Sequence, residues 1–444
     1  SYIILFSIYG SFLSQFGAGD FFFKIAMRLT KNMHAASAKT AVIFSTLLGM
    51  ISGSAAGNVA VTGTLTIQMM KKEGYKNHQA GAIEAVVSTG GQIMPPVMGA
   101  AAFIMAEIIG KPYTEIMKAG LLPALLFFTS TFFVVHFQAK KNGLKPKKYE
   151  DDGESTFRIL LSGLQFIIPF LSLIGMMLYG YSPFKASFFS IIILLFLNII
   201  WNKKISFKFF TNAYRAIVEG TKNIVPIAVA CAAAGIISGT LGITGLGSKI
   251  SGLILTWSLG VPILALLMTM IVAIILGMGL PTTAAYLILA TVVAPALSEI
   301  GVPILTAHMF VFFFGCVSTI TPPVALASYV AAGIAKANIN QVGWTAFVYG
   351  ITCYILPFIF FYSPALLLND SFYNIVLAII SSFLGVFCIS LTVIGFFITH
   401  LNLYCRSFFA IAGILLLLQG YFTDLLGLAI LLIFVFVQYK INKN

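Results

Sequence analysis

Charge is what this sequence has least of. Only 9% of its 444 residues are Asp, Glu, Lys or Arg, against about 25% in soluble domains. Thirteen are acidic, which leaves few places for chemistry that needs clustered carboxylates. The five cysteines, Cys231, Cys316, Cys353, Cys388 and Cys405, are scattered through apolar stretches without a CxxC. Neither a disulfide framework nor a thiolate metal centre is indicated. The five histidines, His34, His78, His136, His308 and His400, are equally dispersed and read as structural or interfacial. No Walker motif is present, so a nucleotide-driven pump is disfavoured. No secretory signal pattern opens the chain.

Apolar residues fill the space. They make up 59% of the chain, with 41 Phe and 39 Gly, and mean hydropathy is +1.00. Runs such as Gly120–Val135, Ile159–Tyr179, Phe188–Trp201 and Phe408–Phe436 are long enough, or nearly so, to cross a hydrocarbon core of roughly 30 Å. The expected architecture is an all-α, multi-pass membrane protein with roughly ten to twelve embedded segments. The formal net charge of +13 does not point to nucleic acid. The basic residues sit in short loops between apolar runs, as expected on the cytoplasmic side of a lipid bilayer. The chain opens at Ser1 inside an apolar run, and further membrane helices are expected upstream.

The basic clusters set a topology. Lys24–Lys39, Lys71–Lys76, Lys140–Lys148 and Lys203–Lys208 are all placed in the cytoplasm. Residues 40–70 must then enter and leave on one side, yet two full spans need about 40 residues. A re-entrant helical hairpin satisfies both constraints. Its tip is "SGSAAGN", Ser52–Asn58. Residues 79–108 then cross outward, 118–137 return, and 138–157 form a charged loop. Residues 158–179 and 185–201 cross out and back, and 215–243 lead outside. This count leaves Lys440 and Lys443 outside.

The arrangement occurs twice. "GMISGSAAGNVAVTG" precedes "STGGQIMPPVMGAAAFIMA" in the first half, and "ILGMGLPTTAAYLIL" precedes "CVSTITPPVALASYVAAGIA" in the second. Each half breaks an apolar run at small residues, then carries Ser-Thr and, a few residues on, Pro-Pro-Val. The second hairpin opens from the outside, so the repeats are inverted. Four regions follow. Residues 1–137 hold the first repeat, with hairpin 40–70 and broken helix 79–108. Residues 138–214 hold the loop and connecting scaffold helices. Residues 215–365 hold the second repeat, with hairpin 264–297 and broken helix 303–335. Residues 366–444 are C-terminal membrane helices.

Paired interruptions of this kind point to the binding site of a secondary transporter. Irregular backbone at membrane depth is tolerated only where protein or a water-filled cavity covers it. Free carbonyls at broken C-terminal ends suit a hard cation. Broken N-terminal ends carry partial positive charge and suit an anion. Ser52, Ser54, Asn58, Thr282, Thr283, Ser318, Thr319 and Thr321 add oxygens without bulk. Plainer readings stand beside this one. Small residues pack membrane helices, Asn58 suits a helix cap, and Glu84 and Glu107 read as interfacial. "GAGD" at Gly17–Asp20 matches an intramembrane aspartyl protease, but that chemistry needs a second membrane aspartate. Asp151, Asp152, Asp370 and Asp424 offer no convincing partner. No enzyme activity, organic cofactor or metal other than Na⁺ is expected.

The stretches "SGSAAGNVAVTG", "EAVVSTGGQIMPPVMGAAAFIMAE", "GMGLPTTAAYLILA" and "TPPVALASYVAAGIA" resemble the large membrane subunit of tripartite ATP-independent periplasmic (TRAP) transporters. The second is similar to the fused permeases of the TAXI branch. The resemblance covers residues 17–365. It implies an elevator-type importer in the bacterial inner membrane, coupled to Na⁺ or H⁺. It implies a periplasmic TAXI-type binding protein that delivers a small carboxylate, and membrane helices equivalent to a small subunit. Carried over by motif, one cation site is Ser52, Gly53, Ser54, Gly57 and Asn58 with Gly90, Gly91 and Pro95. The other is Gly277, Gly279, Pro281 and Thr282 with Thr319, Thr321 and Pro322. Ser54, Asn58, Gln92, Thr282, Thr283 and Thr321 are the expected substrate contacts. The alternative within transporters is a Na⁺/dicarboxylate symporter that needs no binding protein.

Overall fold

The computed structural model describes residues 2–145, 155–202 and 207–443. Lys147, Lys148, Lys203, Lys204, Asp151 and Asp152, invoked above, lie outside them. The described residues are helical almost throughout. The first part of the chain forms α1 (Tyr2–Gln15), α2 (Ala18–Thr30), α3 (Ala36–Ser52), α4 (Ala55–Glu73), α5 (Asn77–Gly90), α6 (Gly99–Ile109) and α7 (Tyr113–Lys141). Then come α8 (Thr156–Leu178), α9 (Pro183–Asn202), α10 (Phe207–Ile243) and α11 (Leu246–Trp257). The second half holds α12 (Pro262–Gly277), α13 (Thr282–Val292), α14 (Ala294–Glu299), α15 (Ile304–Val317), α16 (Leu326–Ala335), α17 (Ile339–Tyr349) and α18 (Ile351–Tyr362). A 3-10 turn at Pro364–Leu367 leads to α19 (Phe372–Ile394), α20 (Leu403–Leu418) and α21 (Tyr421–Lys443). Among the described residues seven helices are long and apolar enough to cross a membrane, with Ile339–Tyr362 counted as one. The remaining apolar helices are shorter, because breaks divide them.

Each break has a local cause. Gly53 ends α3 at φ 65°, donating its N–H to Gly49 O, a conformation that only glycine adopts without strain. Ser54 is extended and caps α4, its Oγ accepting from Gly57 N–H at 3.2 Å. At the far ends of this pair, the Ser37 backbone N–H donates to Glu73 Oε2 at 2.9 Å. The Ser37 hydroxyl donates to the same oxygen. The two arms therefore begin and finish at one level. α5 breaks after Gly90 and resumes at Gly99, with a cis Pro95–Pro96 peptide between. The second half follows the same order: α12 and α13 flank residues 278–281, and α15 and α16 flank 318–325, with Pro322–Pro323 also cis. The halves interlock. α16 packs on α4 and α5, while α6 packs on α13 and α15.

Basic side chains close helix C-termini at one end of the bundle. Lys71 Nζ donates to Ala335 O at 3.0 Å and Lys141 Nζ to Ile394 O at 2.6 Å. Arg406 Nε donates to Thr392 O at 2.8 Å. Cations are favoured there by the unpaired carbonyls and the helix dipole. Lys39 is not a loop residue. It lies in the first turn of α3, 5% exposed, with its ammonium 4.5 Å from the centre of the Phe132 ring. His34, in the loop before α3, is held below its ordinary pKa by burial and by the charges of Lys140 and Lys39.

The C-terminal count is corrected. The run Phe408–Phe436 is not continuous: it turns at Gln419–Gly420 into two packed helices, α20 and α21. Thr399 Oγ1 donates to Gln438 Oε1 at 2.8 Å, which sets the end of α21 beside the end of α19 that Lys141 caps. Lys440 and Lys443 therefore stand at the same end as Lys141, in keeping with the other basic clusters.

Candidate functional site

The N-termini of α4, α6, α13 and α16 reach one cavity of about 590 Å³. Ser52, Gly53, Ser54 and Gly57 bring the start of α4 to its wall; Pro281, Thr282 and Thr283 bring the start of α13. α1 contributes Ser7, Ser11 and Ser14, and α10 contributes Glu219 and Asn223. Glu219 is the charged member of this wall among the described residues, and Gln15 Nε2 donates to it at 2.5 Å.

Gln92 joins the tips. It sits in the first Pro-Pro break, where Gln92 Nε2 donates to Gly53 O at 3.2 Å. Thr282 Oγ1 donates to Gln92 Oε1 at 2.8 Å. One amide thus spans from the tip of one hairpin to the tip of the other. A second tie links the broken helices themselves, Thr89 Oγ1 to Thr319 Oγ1 at 3.1 Å. Close backbone contact makes this possible. A Cβ built on Gly91 would lie 2.6 Å from Gly49 Cα, and one on Gly53 would lie 3.0 Å from Gly99 Cα.

The remaining candidates are placed apart from the cavity wall. Asn58 is not a cap, because Ser54 holds that position. It lies inside α4, 1% exposed, with Nδ2 donating to Ser45 O at 3.0 Å and to Ser88 Oγ at 3.3 Å. Its Oδ1 is buried without a donor. Thr321 is buried against the Tyr354 hydroxyl at 2.6 Å. Gly90 packs on the Phe127 and Phe128 rings, and Pro95 is buried. Ser318 Oγ donates to Gly277 O at 3.1 Å, where a Cβ on Gly277 would lie 3.0 Å from that hydroxyl. Gly279 has φ 75°, and Pro322 faces Gly343.

Several partners were not singled out from the sequence. Tyr113 Oη lies 2.7 Å from Pro96 O and 2.6 Å from Val97 O. Its one proton is shared between two carbonyls at the Pro-Pro break. Tyr113→Phe is expected to remove that shared bond from the buried carbonyls, costing about 1–3 kcal/mol. Thermal unfolding in detergent would register this as a lower midpoint; an unchanged midpoint would show that the break does not depend on Tyr113. Glu84 is also misplaced by the sequence. It is 0% exposed, not interfacial, and its carboxylate accepts from Ser45, Thr62, Thr66 and Ser88. His308 is buried against Tyr286 Oη at 2.8 Å, a structural pairing. Glu107 is exposed.

Interlocked broken helices that meet at a largely apolar cavity edged by hydroxyls and amides, inside an apolar bundle, are the arrangement of a membrane permease. The chain belongs to the family of the DctM component of tripartite ATP-independent periplasmic transporters, whose model matches residues 1–375. It is 22% identical over 370 residues to the 2,3-diketo-L-gulonate TRAP transporter large permease protein YiaN of Escherichia coli, covering 82% of this chain and 85% of that one. It is 23% identical over 334 residues to the C4-dicarboxylate TRAP transporter large permease protein DctM of Pseudomonas aeruginosa, covering 75% and 76%. The isethionate TRAP transporter permease protein DctMQ of Oleidesulfovibrio alaskensis is 26% identical over 300 residues, covering 66% and 45%. The protein is therefore a multi-pass inner-membrane transport component and not an enzyme. The aspartyl-protease alternative falls with that assignment.

Proposed function

We propose that this permease imports a small organic anion, delivered by a periplasmic binding protein and driven by inward movement of cations. The observation that carries the reading is the Gln92 bridge, which brings both hairpin tips to one cavity. Two helix N-termini supply partial positive charge there, and the Ser54 and Thr283 hydroxyls supply donors, while Thr282 is held by Gln92. An anion is recognised without a lysine or arginine, and its desolvation cost is shared among several weak donors. The relatives named for diketogulonate, C4-dicarboxylate and isethionate support a small acid as substrate. The run "STGGQIMPPVMGAAAFIMAE" supports a binding protein of the TAXI type.

Cation coupling follows from energetics. Each charge that falls through 100 mV releases about 2.3 kcal/mol. Two charges beyond those neutralising the anion concentrate solute roughly a thousandfold. Asn58 Oδ1, buried and without a donor, is an acceptor free for a cation behind the first tip. The hairpin that carries the tip enters and leaves the membrane on one side, and moves with the substrate.

The test is uptake by proteoliposomes that contain the permease with its partner membrane helices. The binding protein is supplied loaded with radiolabelled carboxylates and isethionate. Uptake that needs both the binding protein and an inward Na⁺ or H⁺ gradient is the expected result. Uptake that ignores the binding protein would replace this reading with the stand-alone symporter.

A further inference from the structure

We infer that Glu84 is a proton-binding site, and that its proton is a coupling ion of transport. This rests on the import reading above and assigns a chemical identity to one of its cations.

The observation is a fully covered carboxyl group that only neutral hydroxyls contact. Glu84 lies two turns into α5. Ser45 on α3 lies 2.6 Å from Oε1, and Ser88, one turn along α5, lies 3.1 Å from it. Thr62 on α4 also bonds Oε1, and Thr66 bonds Oε2. Gly63 makes room for the glutamate stem, since a Cβ there would lie 3.3 Å from Glu84 Cγ. The same hydroxyls approach one another and the backbone. Ser45 Oγ is 3.0 Å from Thr62 Oγ1, Thr62 Oγ1 is 2.8 Å from Asn58 O, and Thr66 Oγ1 is 2.9 Å from Thr62 O.

These are seven oxygen–oxygen approaches, and the four hydroxyls own one proton each. Each approach is attractive only with a hydrogen in it. Four of the approaches run to Glu84, so the four hydroxyl protons can serve an ionised carboxylate, but none of them neutralises it and a negative charge is sealed in the protein. A proton on the carboxyl group fills a further approach and removes the charge.

Among the described residues no cation contacts the carboxyl group; on α16, which also covers α5, Tyr329 is exposed and Lys336 stands exposed at the C-cap. Lys39 on α3 engages His136 of α7 and the Phe132 ring. On α4, Glu73 accepts from Ser37 and Lys71 donates to Ala335 O. On α7, Glu115 pairs with Lys111, and Lys141 donates to Ile394 O. On α15, His308 holds Tyr286, and α17 brings the phenol of Tyr349, which is 5% exposed. The groups that touch the Glu84 carboxyl are hydroxyls.

The position suits coupling. The cage ties both arms of the first hairpin to the broken helix. Ser88, which bonds Glu84, also accepts from Asn58 Nδ2, and Asn58 lies one turn inside the tip. A protonated carboxyl group travels within an apolar body without an uncompensated charge; an ionised one does not. The proton is taken up from water on the outer side and released to water on the inner side. No bond other than O–H is made or broken.

The first measurement is an infrared spectrum of the full chain in lipid near neutral pH, without substrate. A carbonyl band of a protonated carboxyl group, sensitive to deuteration, is expected in the wild type. It should be lost in Glu84→Gln and kept in Glu84→Asp. Uptake follows in the proteoliposomes described above, with radiolabelled succinate and isethionate as probes. Glu84→Gln is expected to lose dependence on a pH gradient while counterflow exchange of label survives. A wild-type spectrum with no band assignable to Glu84 overturns the inference. So does pH-gradient dependence that persists in a well-folded Glu84→Gln protein. If the band is present but no cation gradient drives wild-type uptake, the proton site stands and its role in import is overturned.

Discussion

A permease with Gly91→Ala is expected to be markedly less stable and inactive in uptake. Gly91 has helical backbone angles, φ −56° and ψ −29°, so alanine is conformationally acceptable there. The penalty is therefore steric alone. The new methyl would sit 2.6 Å from Gly49 Cα and 3.1 Å from Gly49 C. Those are backbone atoms, so no rotamer change relieves the clash. α3 must part from the break after α5, and the contact that seats the first tip opens with it. Overpacking of this kind costs about 1–3 kcal/mol. Gly49→Ala meets the same wall from the other side, 2.7 Å from Gly91 Cα, so its effect should match. Gly175→Ala is the control. It lies in α8 with nothing within 4 Å, and alanine should stabilise that helix by about 0.5–1 kcal/mol. Thermal unfolding of the three variants in detergent checks the ordering. Equal midpoints for Gly91→Ala and wild type would show that the glycine contact can be widened freely.

Much of this architecture was legible because its causes are local. The breaks at Gly53–Ser54, at Pro95–Pro96, around Gly279 and at Pro322–Pro323 each follow from residues that cannot continue a helix. Their doubling was visible as a repeat. The all-α membrane class followed from composition. The late segments were miscounted, although Gln419–Gly420 interrupts Phe408–Phe436 and glycine after a polar residue is a turn signal.

The position of Glu84 was not legible from its distance to a segment end. Its burial depends on α3, α4 and α16 covering α5, which are tertiary facts. A weaker signal was present. Asn58, Thr62 and Thr66 recur every fourth residue on α4, as do Glu84 and Ser88 on α5. Polar stripes at helical spacing inside apolar segments mark faces that must meet each other. What sequence cannot supply is which stripe meets which. The cage joins three helices whose polar faces look alike, and only packing sorts them. The same limit separates Gln92 from its neighbours: nothing in "GGQIM" says that its amide reaches two hairpins.

That amide carries the second large prediction. Gln92→Leu keeps roughly the same volume and removes both hydrogen bonds. Gly53 O and Thr282 Oγ1 then face the cavity without their partner. At about 1 kcal/mol per bond, the joined arrangement loses about 2 kcal/mol, or roughly thirtyfold in population. Uptake at low substrate should fall by a comparable factor, because the anion then has to order the two tips itself. Thr282→Val removes one of the two bonds and should have the smaller effect. The double variant distinguishes a bridge from two independent contributions. If Thr282 acts on the site through Gln92, Thr282→Val adds almost nothing once Gln92→Leu is present, and the cycle shows a coupling of about 1 kcal/mol. If the effects add, each side chain contacts the substrate separately and the tips close without a bridge. Glu219 provides the opposite check on the same wall. It places a carboxylate beside a cavity assigned to an anion, so Glu219→Gln should not weaken uptake of a carboxylate probe. A gain would mean that this acid normally opposes the substrate's charge, and a large loss would mean that the cavity receives a cation instead.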